Sequence, residues 1–184
     1  MPDEIKSISY SGTQSHAHVE RLLGNSRRLL IISPYIDSYY SDYLSRISGG
    51  KRVYVIASSI SEKGRKALSS GMSYFGKVWL SLSFASVLFG AGVLLLGYMP
   101  GISFFALAAI LLFFGVRSRN SIRLKIPHKF VHAKMYITEN GAILGSANLT
   151  FRGMHDNVEH IEVVSDPDKI KSLEKQFWEI WNSS

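Results

Sequence analysis

The sequence predicts an α/β fold that is interrupted by a membrane-spanning helical hairpin. Short apolar runs at 29–32 and 52–56, typical of strands buried on both faces, alternate with helical segments. Residues 78–116 contain no charged residue. Beyond them, two further apolar segments flank an Asn-Gly pair, the strongest short hairpin signal. We therefore divide the 184 residues into a first half-domain at 1–77, a transmembrane hairpin at 78–116 and a second half-domain at 117–184.

The amino-terminal half reads as helix, strand, helix, strand and helix. We predict helices over 13–28, 39–47 and 61–70, because capping residues, apolar stripes and a Gly-Gly stop mark their limits. His16 and His18 lie on the first of these helices, without a carboxylate partner in register. We interpret both as surface or internally bonded histidines and not as ligands.

The composition favours an anionic partner. The formal net charge is +7, which suits nucleic acid, phospholipid head groups or the inner membrane surface and does not choose among them. There is no cysteine, so disulfides and cysteine-based zinc sites are excluded. The first twelve residues are polar, and we expect no secretory signal peptide.

The uncharged region predicts two membrane helices. Residues 78–97 would form a helix about 30 Å long, enough to cross the hydrocarbon layer. Residues 102–116 form a shorter apolar run after a turn at 98–101. The alternative is a pair of helices buried in a soluble core. It fits poorly, because so small a domain cannot bury this region and its own sheet together.

Basic residues flank the hairpin at both ends, and its turn carries no charge. By the positive-inside tendency, both termini and both half-domains then face the cytoplasm, with the two helices in the cell membrane. The hairpin becomes an insertion within one domain, tethering it to the membrane. The flanking residues are Lys63, Arg65, Lys66 and Lys77 on one side and Arg117, Arg119, Arg123 and Lys125 on the other.

Candidate chemistry lies in the second half-domain. His132 and Lys134 precede a turn at 139–141, in a segment that we predict to be a strand, so both side chains would share one face. A phosphate between them would relieve the repulsion of imidazole and ammonium. An ordinary polar strand edge is the alternative interpretation. Further strands are predicted at 122–126 and 157–164, and a last helix near Pro167.

These residues resemble a known motif. His132-x-Lys134, Glu139 and Gly145-Ser146-x-Asn148 are similar to the HKD motif of the phospholipase D superfamily, and Asn157-x-Glu159 resembles its following acidic position. The strand and loop at 30–35 are similar to the start of many such domains. The resemblance implies an α-β-α sandwich around a mixed sheet. The family usually has aspartate where this chain has Glu139, which we interpret as a structural position.

The resemblance also implies residue roles. His132 would be the nucleophile and form a phosphohistidine, and Lys134, Ser146 and Asn148 would hold the phosphate oxygens. Glu159 would accept the other ring N–H of His132 and fix its tautomer. No metal or cofactor is expected. Because the chain has one copy of the motif, as small bacterial nucleases of the family do, we expect a homodimer with a shared active site.

Three functions remain open from the sequence. The first is a membrane-anchored phosphodiesterase, nuclease-like on DNA or RNA, which the short single-motif format and the basic charge favour. The second is a phospholipid-cleaving or phosphatidyl-transferring enzyme, which the membrane anchor favours. The third is a non-catalytic module that binds anionic ligands, and Glu139 is its only support.

Overall fold

A computed structural model describes residues 7–69, 74–97, 101–117 and 122–183. The chain divides into two compact units. One is formed by residues that precede position 70 and follow position 120, and the other by the residues between. The first unit has a mixed α/β fold, as the sequence predicts, and the second consists of two helices.

The first unit is built on a seven-stranded mixed sheet. Its strands are β1 Ser7–Gly12, β2 Arg28–Ile32, β4 Arg52–Ile56, β6 Ile122–Lys125, β7 Met135–Thr138, β8 Gly141–Gly145 and β9 Glu159–Val164, in the spatial order β1-β9-β8-β7-β2-β4-β6. Strands β2, β4 and β6 pair in parallel, and every other pair in this sheet is antiparallel. Short strands β3 Tyr35–Ile36 and β5 Ser59–Ile60 form a separate parallel pair.

Helices cover both faces of the sheet. Strand β2 shows why: Leu29 and Ile31 belong to one buried cluster, and Leu30 and Ile32 belong to the other. Because alternate residues of a strand point to opposite faces, a fully apolar strand needs cover on both sides. Helices α1 Ser15–Gly24, α2 Ser38–Ile47 and α3 Glu62–Ser69 pack on the first cluster, and α6 Pro167–Ser183 packs on the second. The predicted α-β-α sandwich is confirmed.

Helix α1 and strand β1 are among the elements that differ from the sequence prediction. Helix α1 is shorter than the predicted 13–28. Strand β1 was not predicted, because its residues are polar and mostly exposed. It exists through a ladder to β9, from Ser7 opposite Val164 to Gly12 opposite Glu159. Distant pairing, and not local propensity, therefore forms this edge strand.

The second unit is a pair of apolar helices, α4 Tyr74–Leu95 and α5 Gly101–Arg117. Ser83 and Ser86 donate hydrogen bonds to carbonyl oxygens of α5, at 2.8 and 3.0 Å. Within α4, residues 76–95 have a mean hydropathy of 2.0 and are long and apolar enough to cross a bilayer. The apolar part of α5 is shorter, at 101–116. Most of the predicted turn at 98–101 lies outside the described residues.

Candidate active site

The predicted site residues gather at one edge of the seven-stranded sheet. The carboxyl ends of β2, β4 and β8 lie at this edge, and β7 and β9 begin there, as the strand directions require. His132 and Lys134 lie just before β7, Gly145 ends β8, and Glu159 opens β9. The fold thus brings together the two parts of the motif, one before β7 and one after β8, that the β7–β8 hairpin separates in the sequence.

The prediction that His132 and Lys134 lie in a strand is wrong. The strand begins at Met135, and residues 126–134 form no regular secondary structure. The hydroxyl of Ser58 replaces a neighbouring strand: it accepts from the backbone N–H of Val131 at 2.9 Å and donates to the carbonyl of the same residue at 3.1 Å. This anchor fixes the loop that carries His132.

The two side chains are nevertheless adjacent. The ammonium of Lys134 lies 3.2 Å from Nε2 and 3.4 Å from Nδ1 of His132, and it donates to the His132 carbonyl at 2.9 Å. The Lys134 side chain is buried, whereas His132 is exposed. Burial lowers the pKa of Lys134, and the negative charge of Glu159 opposes that shift. A phosphate beside the ring would compensate this poorly solvated cation.

Ser146 and Glu159 form the second part of the site. The Ser146 hydroxyl donates to the Glu159 carboxylate and accepts from the backbone N–H of His160 at 3.0 Å. Asn157 donates to the same carboxylate at 3.2 Å. Among the described residues, no hydrogen bond joins Glu159 to His132 within the chain. The orienting role that the sequence assigns to Glu159 therefore stays a prediction.

Asn148 presents a buried and unpaired polar atom. Its Oδ1 has no hydrogen-bond partner among the described residues. Leaving a buried acceptor unpaired costs about 1–3 kcal/mol. An acceptor cannot bond an anionic phosphate oxygen, so a phosphate contact by Asn148 would have to come from its side-chain N–H groups.

Three residues that the sequence analysis did not single out hold the loop after β8. The hydroxyl of Tyr136 donates to the Ala147 carbonyl at 2.8 Å, and burial raises the pKa of this phenol, so it stays a donor. Ser33 and Asp37 accept backbone N–H groups further along the loop, from Leu149 at 2.9 Å and Phe151 at 2.6 Å. Ser33 and Asp37 follow β2, and their position after a buried parallel strand was the available signal.

Glu139 lies at the opposite end of β7 from Lys134. Its carboxylate accepts the backbone N–H groups of Arg27 and Arg28, at 2.5 and 3.0 Å, where β2 begins. Burial alone would raise the pKa of Glu139. The hydrogen bonds from the two backbone N–H groups outweigh burial, so the pKa is lowered from its ordinary value of 4.5. Glu139 therefore acts as a clamp: its hydrogen bonds join the turn between β7 and β8 to the start of β2.

Replacing Glu139 by Gln should lower the free energy of unfolding by about 1 kcal/mol at pH 7, since an amide cannot accept both N–H groups as a carboxylate does. Because the folded-state pKa is lowered, this stabilisation is complete above pH 4.5 and is lost as the pH falls through the folded-state pKa. Thermal unfolding of Glu139→Gln and of the unaltered protein, followed by circular dichroism at pH 7 and at a pH below the folded-state pKa, measures the loss of stability and its pH dependence.

The control for this experiment is Glu62→Gln. Glu62 forms only an exposed pair with Lys66 one helical turn away, so its loss should change stability by no more than a few tenths of a kcal/mol. Equal unfolding midpoints for Glu139→Gln and the unaltered protein at pH 7 would contradict a clamp.

His16, His18 and Lys125 make other contacts. His16 bonds the Met154 carbonyl at 3.2 Å and stacks on His155, and His18 lies against Tyr10. Lys125 donates to the carbonyl of Trp181. In the part of the chain that the structure describes, no group of three His, Asp or Glu side chains could hold a metal ion.

Comparison with known proteins finds a likeness in the region that carries the candidate site. Residues 109–181 match the family model described as "Cardiolipin synthase, PLD-like domain". This region, which holds all the candidate site residues, is similar to phospholipase D-like domains. Among curated proteins, none matches the sequence.

Solved structures share the fold at low identity. Nuc from Salmonella typhimurium, a phospholipase D family member, is 14% identical, with 96% of this chain and 95% of that chain covered and a TM-score of 0.50. NucT from Helicobacter pylori is 14% identical over 97% of this chain and 96% of that chain, at 0.52. Phosphatidylserine synthase from Haemophilus influenzae is 13% identical over 93% of this chain and 38% of that chain, at 0.50.

Proposed function

We propose that the protein is a membrane-anchored phosphodiesterase that hydrolyses DNA or RNA through a phosphohistidine at His132. The observation that carries the proposal is the buried Lys134 ammonium 3.2 Å from the exposed His132 ring. This pair offers a nucleophile in contact with solvent and a fixed positive charge to stabilise the oxygens of a reacting phosphate.

The reaction proceeds in two steps. A ring nitrogen of His132 attacks phosphorus and forms an N–P bond while the P–O bond to the leaving alkoxide breaks. An acid then protonates the alkoxide, and water hydrolyses the phosphohistidine to release the second product. Lys134 and Asn148 hold the non-bridging oxygens, and Ser146 joins them when its hydroxyl proton turns from Glu159 to the phosphate. This chemistry uses no metal.

The acid comes from a second copy of the chain. Each chain carries one copy of the motif and thus one candidate catalytic histidine, His132. The mechanism uses one histidine to attack phosphorus and another to protonate the leaving group. A two-fold homodimer would place His132 of one protomer opposite His132 of its partner across a shared cleft. The exposure of His132 is consistent with such an arrangement.

The apolar helices would form the anchor. Large side chains of α4 and α5 are exposed, among them Phe84 at 66% and Phe113 at 61%. Exposed apolar surface of this extent marks a membrane or protein contact. The positive-inside tendency supports a cytoplasmic location for the basic residues that flank the hairpin in the sequence.

A phospholipid-cleaving or phosphatidyl-transferring activity is the second candidate. A membrane anchor would hold the protein at a surface of phosphodiester head groups, and the description of the matched family model names cardiolipin synthase. A non-catalytic binding module is less favoured, because Glu139, its only support, makes its contacts at the far end of β7 from Lys134.

The test uses the full chain, purified in detergent and treated with EDTA. It is offered single-stranded DNA, RNA, bis(p-nitrophenyl) phosphate and phosphatidylcholine in parallel. We expect cleavage of the nucleic acid and of the small diester, with no loss of rate after metal removal. Cleavage of phosphatidylcholine alone would select the lipid enzyme, and cleavage of no phosphodiester would select the binding module.

A further inference from the structure

Two exposed aromatic side chains lie beside His132. The ring centroid of Phe130 is 6.2 Å from that of the His132 imidazole and 5.9 Å from that of Tyr35. Phe130 therefore lies next to both the candidate nucleophile and Tyr35. Phe130 is 58% exposed and Tyr35 is 46% exposed.

The backbone on which these rings sit is well anchored. Ser58 bonds both polar backbone groups of Val131, next to Phe130. Tyr35 pairs with Ser59 in the short parallel sheet, and the Ser59 N–H donates to the carbonyl of Pro34 at 2.8 Å. The backbone at both positions is thus fixed, and both side chains are about half exposed. Fixed, exposed aromatic rings beside a reactive group are typical of a binding surface.

The chemistry of this surface suits an unpaired base. We propose that Phe130 and Tyr35 stack on a nucleobase adjoining the phosphate at His132, which makes single-stranded nucleic acid the preferred substrate; this rests on the proposed function. A base joined through its sugar to that phosphate would reach Phe130, and exposed Lys129 adds positive charge beside it. Aromatic rings interleaved with basic residues bind single strands through base stacking.

A double helix suits the same surface less well, because its bases are stacked on one another and their faces are not available. A lipid chain also fits less well. The large apolar side chains exposed near this edge are mainly aromatic: Tyr39, at the start of α2, and Phe151 form a second pair with ring centroids 5.3 Å apart. Ile126 and Val158 are the aliphatic exceptions among the described residues.

The test measures binding by fluorescence anisotropy, with the full chain in detergent and His132→Asn present throughout so that the probe is not cleaved. The probes are a labelled single-stranded oligonucleotide and an abasic strand of equal length. We expect Phe130→Ala and Tyr35→Ala each to weaken binding of the normal strand by about 5- to 100-fold. Binding of the abasic strand should not change.

Phe130→Trp should preserve affinity, because it keeps a stacking face. Ile8→Ala is the matched control: Ile8 is an exposed large apolar residue on β1, four positions from the site edge, and its removal should leave both affinities unchanged. Equal affinity of the protein for normal and abasic strands would overturn the proposal.

Two other results would also overturn it. If Phe130→Ala or Tyr35→Ala lost binding to phosphatidylglycerol vesicles but kept its affinity for the oligonucleotide, the rings would belong to a lipid-binding surface. Conversion of a dimer to a monomer by Phe130→Ala, measured as mass in detergent, would assign them to an interface between copies. Failure of the proposed function is distinguishable, because base-dependent binding without any cleavage by the unaltered chain rejects only the catalytic assignment.

Discussion

Replacing His132 by Asn should abolish phosphodiester cleavage, lowering kcat by at least about 10⁴-fold, as loss of a nucleophile does in covalent catalysis. Binding of the oligonucleotide should persist, since Lys134, Ser146 and Asn148 remain to contact the phosphate. The variant should fold, because His132 is exposed and lies in a loop. Steady-state rates and anisotropy on the same preparation measure both effects.

His128→Asn is the matched control. His128 is an exposed histidine on the same loop, four residues earlier, and its replacement should leave kcat within about twofold. A His132→Asn variant that cleaves at the original rate would remove the nucleophile assignment, whatever the substrate.

The same variant tests the shared cleft. If each active site needs His132 from both protomers, co-expressed mixtures of intact and His132→Asn chains contain mixed dimers that are inactive. Activity should then fall with the square of the intact fraction. A linear fall would show that each chain works alone, and the dimeric mechanism would have to be abandoned.

The sequence predicts the fold best where local physical constraints are strong. The apolar run of β2 demands cover on both faces, and the Asn140-Gly141 turn joins β7 to β8 in the register that places Thr138 opposite Gly141. Elements that depend on distant partners were missed. Strand β1 exists through pairing with β9, and the His132 loop leaves strand geometry because Ser58, distant in sequence, takes up its backbone groups.

The candidate site divides in the same way. Residue types and spacing identify His132, Lys134, Ser146 and Asn148, because a phosphate site needs those functional groups close together. The supports of the loop are single contacts: Tyr136 bonds across the β7–β8 hairpin, and Ser33 and Asp37 bond residues more than a hundred positions away in the chain. No periodicity marks such contacts, so only the fold shows them.

Gly145 lies where β8 ends and the candidate site begins, and its replacement by Ala should be the most damaging small change in the protein. A Cβ at this position would meet the carbonyl oxygen of His160 at 2.2 Å and the Cα of Ile161 at 2.9 Å. Both atoms are backbone atoms of β9, which is tied to β8 by the sheet ladder at Gly145 and Ile161. The added Cβ can therefore be accommodated only if β8 and β9 move apart.

We expect Gly145→Ala to lower the free energy of unfolding by about 3 kcal/mol, or the midpoint by about 6–12 °C. Cleavage should fall as well, because separation of β8 from β9 moves Ser146 away from Glu159. Gly24→Ala is the control: its Cβ would meet nothing within 4 Å, so the midpoint should hold or rise slightly. Equal unfolding midpoints for Gly145→Ala and Gly24→Ala would show that the close approach of β8 and β9 at Gly145 does not constrain the site.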